Sequence, residues 1–506
     1  MTEGIEHIGR KDIAWSYAST IFMVGAGVIL MPFILNKMSA ETVGIWNIFQ
    51  TITLLVMILD FGFRPSFARN VSYILSGANH LLREGVENVD TTQSVQINYP
   101  LLKGALKAMR LLYKWLAIGA FAILSTAGTA YFLYILNKYN GNHQDAIIAW
   151  ILLVAINCYN LYTLYYDALL LGKGYIKRSQ QISILAQSIY LIVAISLIYA
   201  GLGLTAIVSA QLLSTVIRRV IAYRVFFTPE MKTALSAVEE QDSHAILSAI
   251  YPNAIKVGLT QLGGFFVTRS AIFIGSAFLS LEAIACYGIT IQVMDILSRC
   301  ATVYYQTISP KLAQYRTENN WTALRQSYII NVLSLVATFV VLGTLWIFLG
   351  DWALGIIHSQ TSFVPISMLI AMLVINLLEQ NHATAAGFIM ADNRIPFFIP
   401  SLVSGAATIV LLLLFLYVPT QLSTINHLLS TINYQLSTTL NSTLSTLNST
   451  WALILAPGIA QLAYQNWKWP SVIIRELRQH TYLTFPTVDR RSTDSRRGRD
   501  RDVVKT

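Results

Sequence analysis

Lys256, Arg269 and Arg299 interrupt apolar runs, and Asp295, Glu379 and His382 do the same. Inside hydrocarbon an ionisable side chain costs roughly 2.5 to 3.5 kcal/mol, so each should face a cavity or a partner. Asp295 and Arg299 are four residues apart, on one face of a helix. At roughly 1.5 Å per residue, Asp295 lies ~18 Å and Arg269 ~12 to 15 Å from the same end of neighbouring helices, so an Arg269–Asp295 contact is within reach. Two outcomes stay open. The charges close into a network that holds two helices together, or the three cations, outnumbering Asp295, leave a positive surplus that suits an anionic substrate. Pro252, Asn253, Gln261, Gly263, Gly264 and Thr268 give the helix of Lys256 and Arg269 a polar side fit for an aqueous cavity and residues that permit a bend.

Glu379 and His382 stand three residues apart within a run that also holds Asn376, Gln380 and Asn381. They could bind H+ or Na+ in a coupled cycle, or form a hydrogen-bonded packing knot. Asp60 and Arg64 form a second Asp-x-x-x-Arg pair, near an interface that Arg reaches by extending its stem; Asp167 is placed similarly. Cys158, Cys286 and Cys300 all fall in apolar segments, which leaves no disulfide framework and no CxxC metal site. No glycine-rich phosphate loop, metal-ligand cluster or nucleophile motif is apparent, so no enzyme, metal or cofactor is expected.

The elements that must hold these residues are membrane spans. Of 506 residues, 55% are hydrophobic and 12% charged, about half the charge of a soluble domain. Hydropathy and breaker residues place spans near 13–35, 42–62, 114–136, 145–171, 179–200, 202–223, 245–277, 283–309, 326–349, 363–390, 396–418 and 451–467. The first follows Arg10 and Lys11 and lacks a small-residue cleavage site, so it reads as an uncleaved span. Thirty of the 35 Lys and Arg fall on the side of both termini and two, Lys37 and Lys138, on the other, which makes both termini cytoplasmic. The net charge of +10 thus records topology, not nucleic-acid binding.

The halves repeat. Ser39, Glu41, Val43, Gly44 and Trp46 match Ser280, Glu282, Ile284, Ala285 and Tyr287 at an offset of 241, and Asn157, Asn160, Gly172 and Ile176 match Asn376, Glu379, Ala391 and Ile395 at 219. The reading is an all-α polytopic membrane protein of about 12 transmembrane helices in two parallel six-helix lobes, 1–223 and 245–470, joined by a 224–244 linker. Lys103, Lys107, Arg110 and Lys114 form a basic stripe, either an interfacial helix meeting anionic headgroups or the flank of span 3. A Ser/Thr/Asn-rich insert at 419–450, with sequons at Asn441 and Asn448, reads as an extracytoplasmic repeat expansion, a coiled coil being the other form. Residues 471–506 form a basic cytoplasmic tail, disordered from Arg490 on.

In KMSAETVGIWNIFQTI, LDFGFRPSFARNVS, LLLGKGYIKRSQQI and MADNRIPFFIPSLVSG, and in its 6+6 layout, the chain resembles the polysaccharide and O-antigen repeat-unit flippases of the multidrug/oligosaccharidyl-lipid/polysaccharide (MOP) exporter superfamily over residues 10 to 470. The resemblance implies a V-shaped, MATE-like pair of lobes opening to each side in turn. It also implies a cationic cavity for an undecaprenyl-pyrophosphate-linked oligosaccharide, formed here by Arg269, Arg299 and Lys256 with Arg64 at the inner mouth. Membrane lipids, a polysaccharide polymerase and glycosyltransferases are the implied partners, and the bacterial inner membrane the implied location, for O-antigen or capsule biosynthesis. The insert and the enlarged 77–100 loop depart from the pattern. The alternatives are a cation-coupled multidrug exporter of the same superfamily, favoured by an acidic cavity, and a sugar polymerase or assembly scaffold. The long outer loop offers His427 and no acids, which disfavours the polymerase.

Overall fold

The structure, a computed structural model, describes residues 10–78, 97–317, 320–391, 396–429 and 437–483. Most of the 77–100 loop, most side chains of the 419–450 insert and the tail beyond 483 lie outside these residues, as do the side chains of Lys256, Asn441 and Asn448.

The first half comprises α1 Arg10–Lys37, α2 Ala40–Ile58, α3 Phe63–Leu75, α4 Tyr99–Ile123, α5 Thr129–Leu136, α6 His143–Tyr162, α7 Tyr165–Gly172, α8 Ile176–Tyr199 and α9 Leu204–Phe226. A single π turn, Leu124–Gly128, joins α4 to α5. The connecting α10, Pro229–Ser236, leads to α11 Ser243–Phe278, α12 Leu281–Ala301, α13 Val303–Thr317, α14 Trp321–Ile356, α15 Ile366–Met390, α16 Phe398–Leu429, α17 Ser437–Leu462 and α18 Gln465–Leu483. Ten of these helices or continuous helix pairs are long and apolar enough to cross a membrane among the described residues, and the seventh and twelfth expected spans fall on α11 and α17. The expected span at 283–309 is broken at Thr302, where α12 gives way to α13.

Each half packs alike. In the first lobe α1 lies on α8, α2 on α6, α4 on α6, and α9 on α6 and α8; in the second α11 lies on α16, α12 on α15, α14 on α15, and α17 on α15 and α16. In the stretches matched at an offset of 241, one pair has a matched role. Ser39 caps α2 by accepting from the Thr42 N–H, and Ser280 caps α12 by accepting from the Ala283 N–H. A Ser at this position satisfies one of the unpaired N–H groups of the first turn.

Glycines let helices approach where they cross. A Cβ on Gly44 would lie 2.3 Å from the Leu281 carbonyl oxygen, and one on Gly258 2.4 Å from the Phe61 Cα. After α2 the chain turns through left-handed Phe61 (φ 46°) and Gly62 (φ 72°), which ends that helix and starts α3 in a new direction.

The basic stripe is part of α4 itself. The Lys103 ammonium donates to the Val238 carbonyl at 2.6 Å, Lys107 pairs with Glu240, the Gln241 N–H donates to the Pro100 carbonyl, and Arg110 stacks over Phe227. Lys103, Lys107 and Arg110 of the stripe therefore hold the connecting segment. α18 runs through position 470 and is fastened beneath the second lobe. Arg316 of α13 forms a bidentate pair with Glu476 at 2.8 and 3.0 Å and donates to the Phe388 carbonyl at the end of α15.

Candidate functional site

Among the cavities lined by described residues, one in each lobe gathers polar side chains from several spans. In the second lobe α11, α12, α15 and α17 surround a space of about 190 Å³ lined by Arg269, Asp295, Asn376, Glu379 and Gln380. The Arg269 guanidinium donates to the Asp295 carboxylate at 2.6 Å, the contact that helix rise alone allowed. Glu379 has Arg269 and Asp295 as charged neighbours, and the Ser298 hydroxyl donates to Asn376 at 2.6 Å. With Arg269 matched by Asp295, ionised Glu379 would make this group net acidic. Among the described lining residues there is no positive surplus.

The remaining sequence candidates lie elsewhere. His382 is buried and bonded through Nδ1 to the Asn466 side chain at 2.7 Å, tying α15 to α18, while Glu379 lines the cavity. Arg299 is exposed in the last turn of α12 and is not part of the cavity lining. Asp60 is buried; it accepts from the Tyr113 hydroxyl at 2.5 Å and from the Arg64 backbone N–H at 3.2 Å, so it holds the start of α3 in place. The Arg64 side chain is exposed. The Lys256 side chain is outside the described residues.

The first-lobe cavity is larger, about 270 Å³, and lies among α1, α2, α6, α8 and α9. Its lining includes Gln50, Thr53, Asn160, Gln187, Tyr190, Gln211, Thr215 and Arg218, against Trp46 and Phe49. No carboxylate contributes among the described lining. At one end Asp167 is shared by two guanidinium groups, Arg219 at 2.9 Å and Arg218 at 3.2 Å. Arg219 is fully buried and also donates to Asn160 at 2.5 Å, which fixes the carboxamide that reaches the cavity. One acid for two arginines leaves Arg218, about a third exposed, as the charged group of the lining. Sequence reasoning counted Arg218 and Arg219 as flanking cations; the available signal was Asp167, seven residues after Asn160.

The lobes are tied at the end where α2 and α12 begin. The Asn36 amide donates to the Ile357 carbonyl at 2.9 Å and the Gln360 N–H to the Leu35 carbonyl at 2.8 Å. The Tyr134 hydroxyl and the Lys138 ammonium both donate to the Ala277 carbonyl, at 2.9 and 2.6 Å, and burial lowers the Lys138 pKa. Further in, the Gln292 amide donates to Asn47 at 2.7 Å.

This architecture has known counterparts. An inward-facing multidrug resistance MATE family transporter of the MOP superfamily aligns with 91% of this chain and 96% of its own at 14% identity, with a TM-score of 0.59. The chain has the fold of the MOP-superfamily transporters. An outward-facing MATE transporter of the superfamily aligns over 93% of this chain and 97% of its own at 13% identity and TM-score 0.50. A MOP transporter from Pyrococcus furiosus, described as having a binding pocket of reversed polarity that suggests a different function, aligns over 93% and 97% at 15% identity and TM-score 0.52. No family model and no curated protein matches the sequence. The fold has two lobes, and the ten described helices long and apolar enough to cross a membrane make this a multi-pass membrane protein.

Proposed function

We propose that this chain moves an anionic lipid-linked oligosaccharide, of the undecaprenyl-pyrophosphate kind, across the bacterial inner membrane by alternating access. The observation that carries the reading is the first-lobe cavity, whose described lining combines amides, hydroxyls and the Arg218 guanidinium with no acid. A cationic drug would gain nothing there from charge, whereas a phosphate-bearing head group with many hydroxyls would. The prenyl tail stays in lipid while the head group rides between the lobes. Ties at the end carrying Lys37 and Lys138, the side with few basic residues, agree with a state closed outward and accessible from the cytoplasm. Arg64 and Arg299, both exposed, stand as basic groups at the inner side, and Lys256 is kept as a further candidate on sequence grounds.

A second reading has one observation in its favour. Asp295 and Glu379 outnumber Arg269 in the second-lobe cavity, so that site suits H+ or Na+ and is compatible with a cation-coupled multidrug exporter. In the flippase reading the same carboxylates couple ion movement to rocking. Deleting the gene separates the two. Loss of surface glycan with accumulation of lipid-linked repeat unit on the cytoplasmic side supports the flippase, whereas intact glycan with increased sensitivity to cationic drugs supports the exporter.

A further inference from the structure

Gln50, Gln187 and Gln211 come from three different helices, α2, α8 and α9, yet all three line the first-lobe cavity. Tyr190 and Thr215 line it as well. None of these five side chains hydrogen-bonds another protein group among the described residues. A neutral amide or hydroxyl left unpaired in a bilayer is unfavourable, so a cavity that gathers five of them is built for water or for a ligand that bonds them.

The chemistry of the five is narrow. Each carboxamide donates and accepts, each hydroxyl does both, and none carries charge. That is the complement of a sugar ring, whose hydroxyls present donors and acceptors at close spacing. Trp46 and Phe49 add apolar surface of the kind that meets the C–H face of such a ring. Along α9 the lining runs from Leu204 to Arg218, roughly 21 Å of helix at 1.5 Å per residue. Gln211 and Thr215 stand on the turns just before Arg218. A charged subsite and a neutral polar subsite are therefore adjacent on one helix.

We infer that this cavity is the saccharide subsite of the head group, with the sugar next to the pyrophosphate held by Gln50, Gln187 and Gln211 and the pyrophosphate held at Arg218. The inference rests on the flippase reading and assigns its selectivity. Discrimination resides in the first lobe, because a site built to bond hydroxyls leaves its own polar groups unpaired when they are missing. The second-lobe cavity, where Asp295 and Glu379 outnumber Arg269, then has no part in reading the sugar.

The test is binding to the purified full-length chain in lipid nanodiscs. The probes are undecaprenyl pyrophosphate and the same lipid bearing N-acetylglucosamine on its pyrophosphate. We expect the sugar-bearing lipid to bind the wild type more tightly. A Gln187→Leu, Gln211→Leu double variant should lose about tenfold for that lipid, the effect of two neutral hydrogen bonds, while its affinity for the sugar-free lipid stays near wild type. That second affinity also reports folding. Arg218→Gln should weaken both probes together. Equal affinities of the wild type for the two lipids, or equal losses in the double variant, would overturn the saccharide subsite while leaving a pyrophosphate-lipid flippase standing. Failure of both lipids to bind, with tetraphenylphosphonium binding in their place, would remove the flippase reading and the subsite with it.

Discussion

Arg269 and Asp295, on the neighbouring helices α11 and α12, are joined by a 2.6 Å hydrogen bond inside the second lobe. Their side chains are 19% and 40% exposed, so the pair sits at a cavity wall and not in a dry core. It ties two spans together and cancels the charge that an isolated Arg269 would offer a phosphate.

Removing either partner should therefore destabilise the lobe. Arg269→Leu or Asp295→Leu forfeits a charge-assisted bond of about 1.5 to 3 kcal/mol, seen as a lower midpoint of thermal unfolding in detergent. The double Leu variant should recover much of that loss, because both desolvation costs disappear together. Additive losses in the double variant would show that the two side chains are not coupled.

At the other cavity the expectation is functional. Arg218→Gln keeps Asp167 paired with Arg219 and removes one charge from the lining, so protein levels should hold while export of surface glycan falls about tenfold. Arg219→Gln is a different change. It leaves buried Asp167 with Arg218 alone and removes the bond to Asn160, and should cost about 1.5 to 3 kcal/mol and lower the amount of protein in the membrane. Immunoblots of membrane fractions beside glycan staining distinguish the two, and a smaller export defect for Arg218→Gln than for Arg299→Gln would shift the anion site to the second lobe.

The ties between lobes must break if the lobes rock. Asn36 and His358 approach closely enough for the Asn36 amide to reach the His358 carbonyl at 3.4 Å. With Cys158, Cys286 and Cys300 replaced by Ser, the Asn36→Cys, His358→Cys variant should cross-link on oxidation, stop transport and recover on reduction. Undiminished transport by the cross-linked form would exclude opening at this end.

Much of the architecture was legible in the sequence because hydrocarbon imposes length and hydropathy on each span. Ser39 and Ser280, matched in the sequence, each cap a helix in the same way. The Arg269–Asp295 contact followed from helix rise and charge. What the sequence hid was context. Gln50, Gln187 and Gln211 are single neutral residues in apolar runs and reveal nothing until three helices converge. Lys103 and Lys107 had the spacing of a lipid-facing stripe, yet both bond the connecting segment, a tertiary fact without a local signature. His382 fell beside Glu379 in sequence but was taken by Asn466 of α18, a helix whose docking no hydropathy window displays.

Translocation in a purified system tests the proposed function most directly. Undecaprenyl-pyrophosphoryl oligosaccharide is placed in both leaflets of proteoliposomes holding the full chain, and an impermeant periodate pulse oxidises the outer sugars. We expect the protected inner pool to become accessible at a rate proportional to the protein present, and the oxidised cross-linked variant to abolish that rate. A protected pool that persists as it does in protein-free vesicles, whatever ion gradient is imposed, would contradict the assignment of this chain as a lipid-linked oligosaccharide flippase.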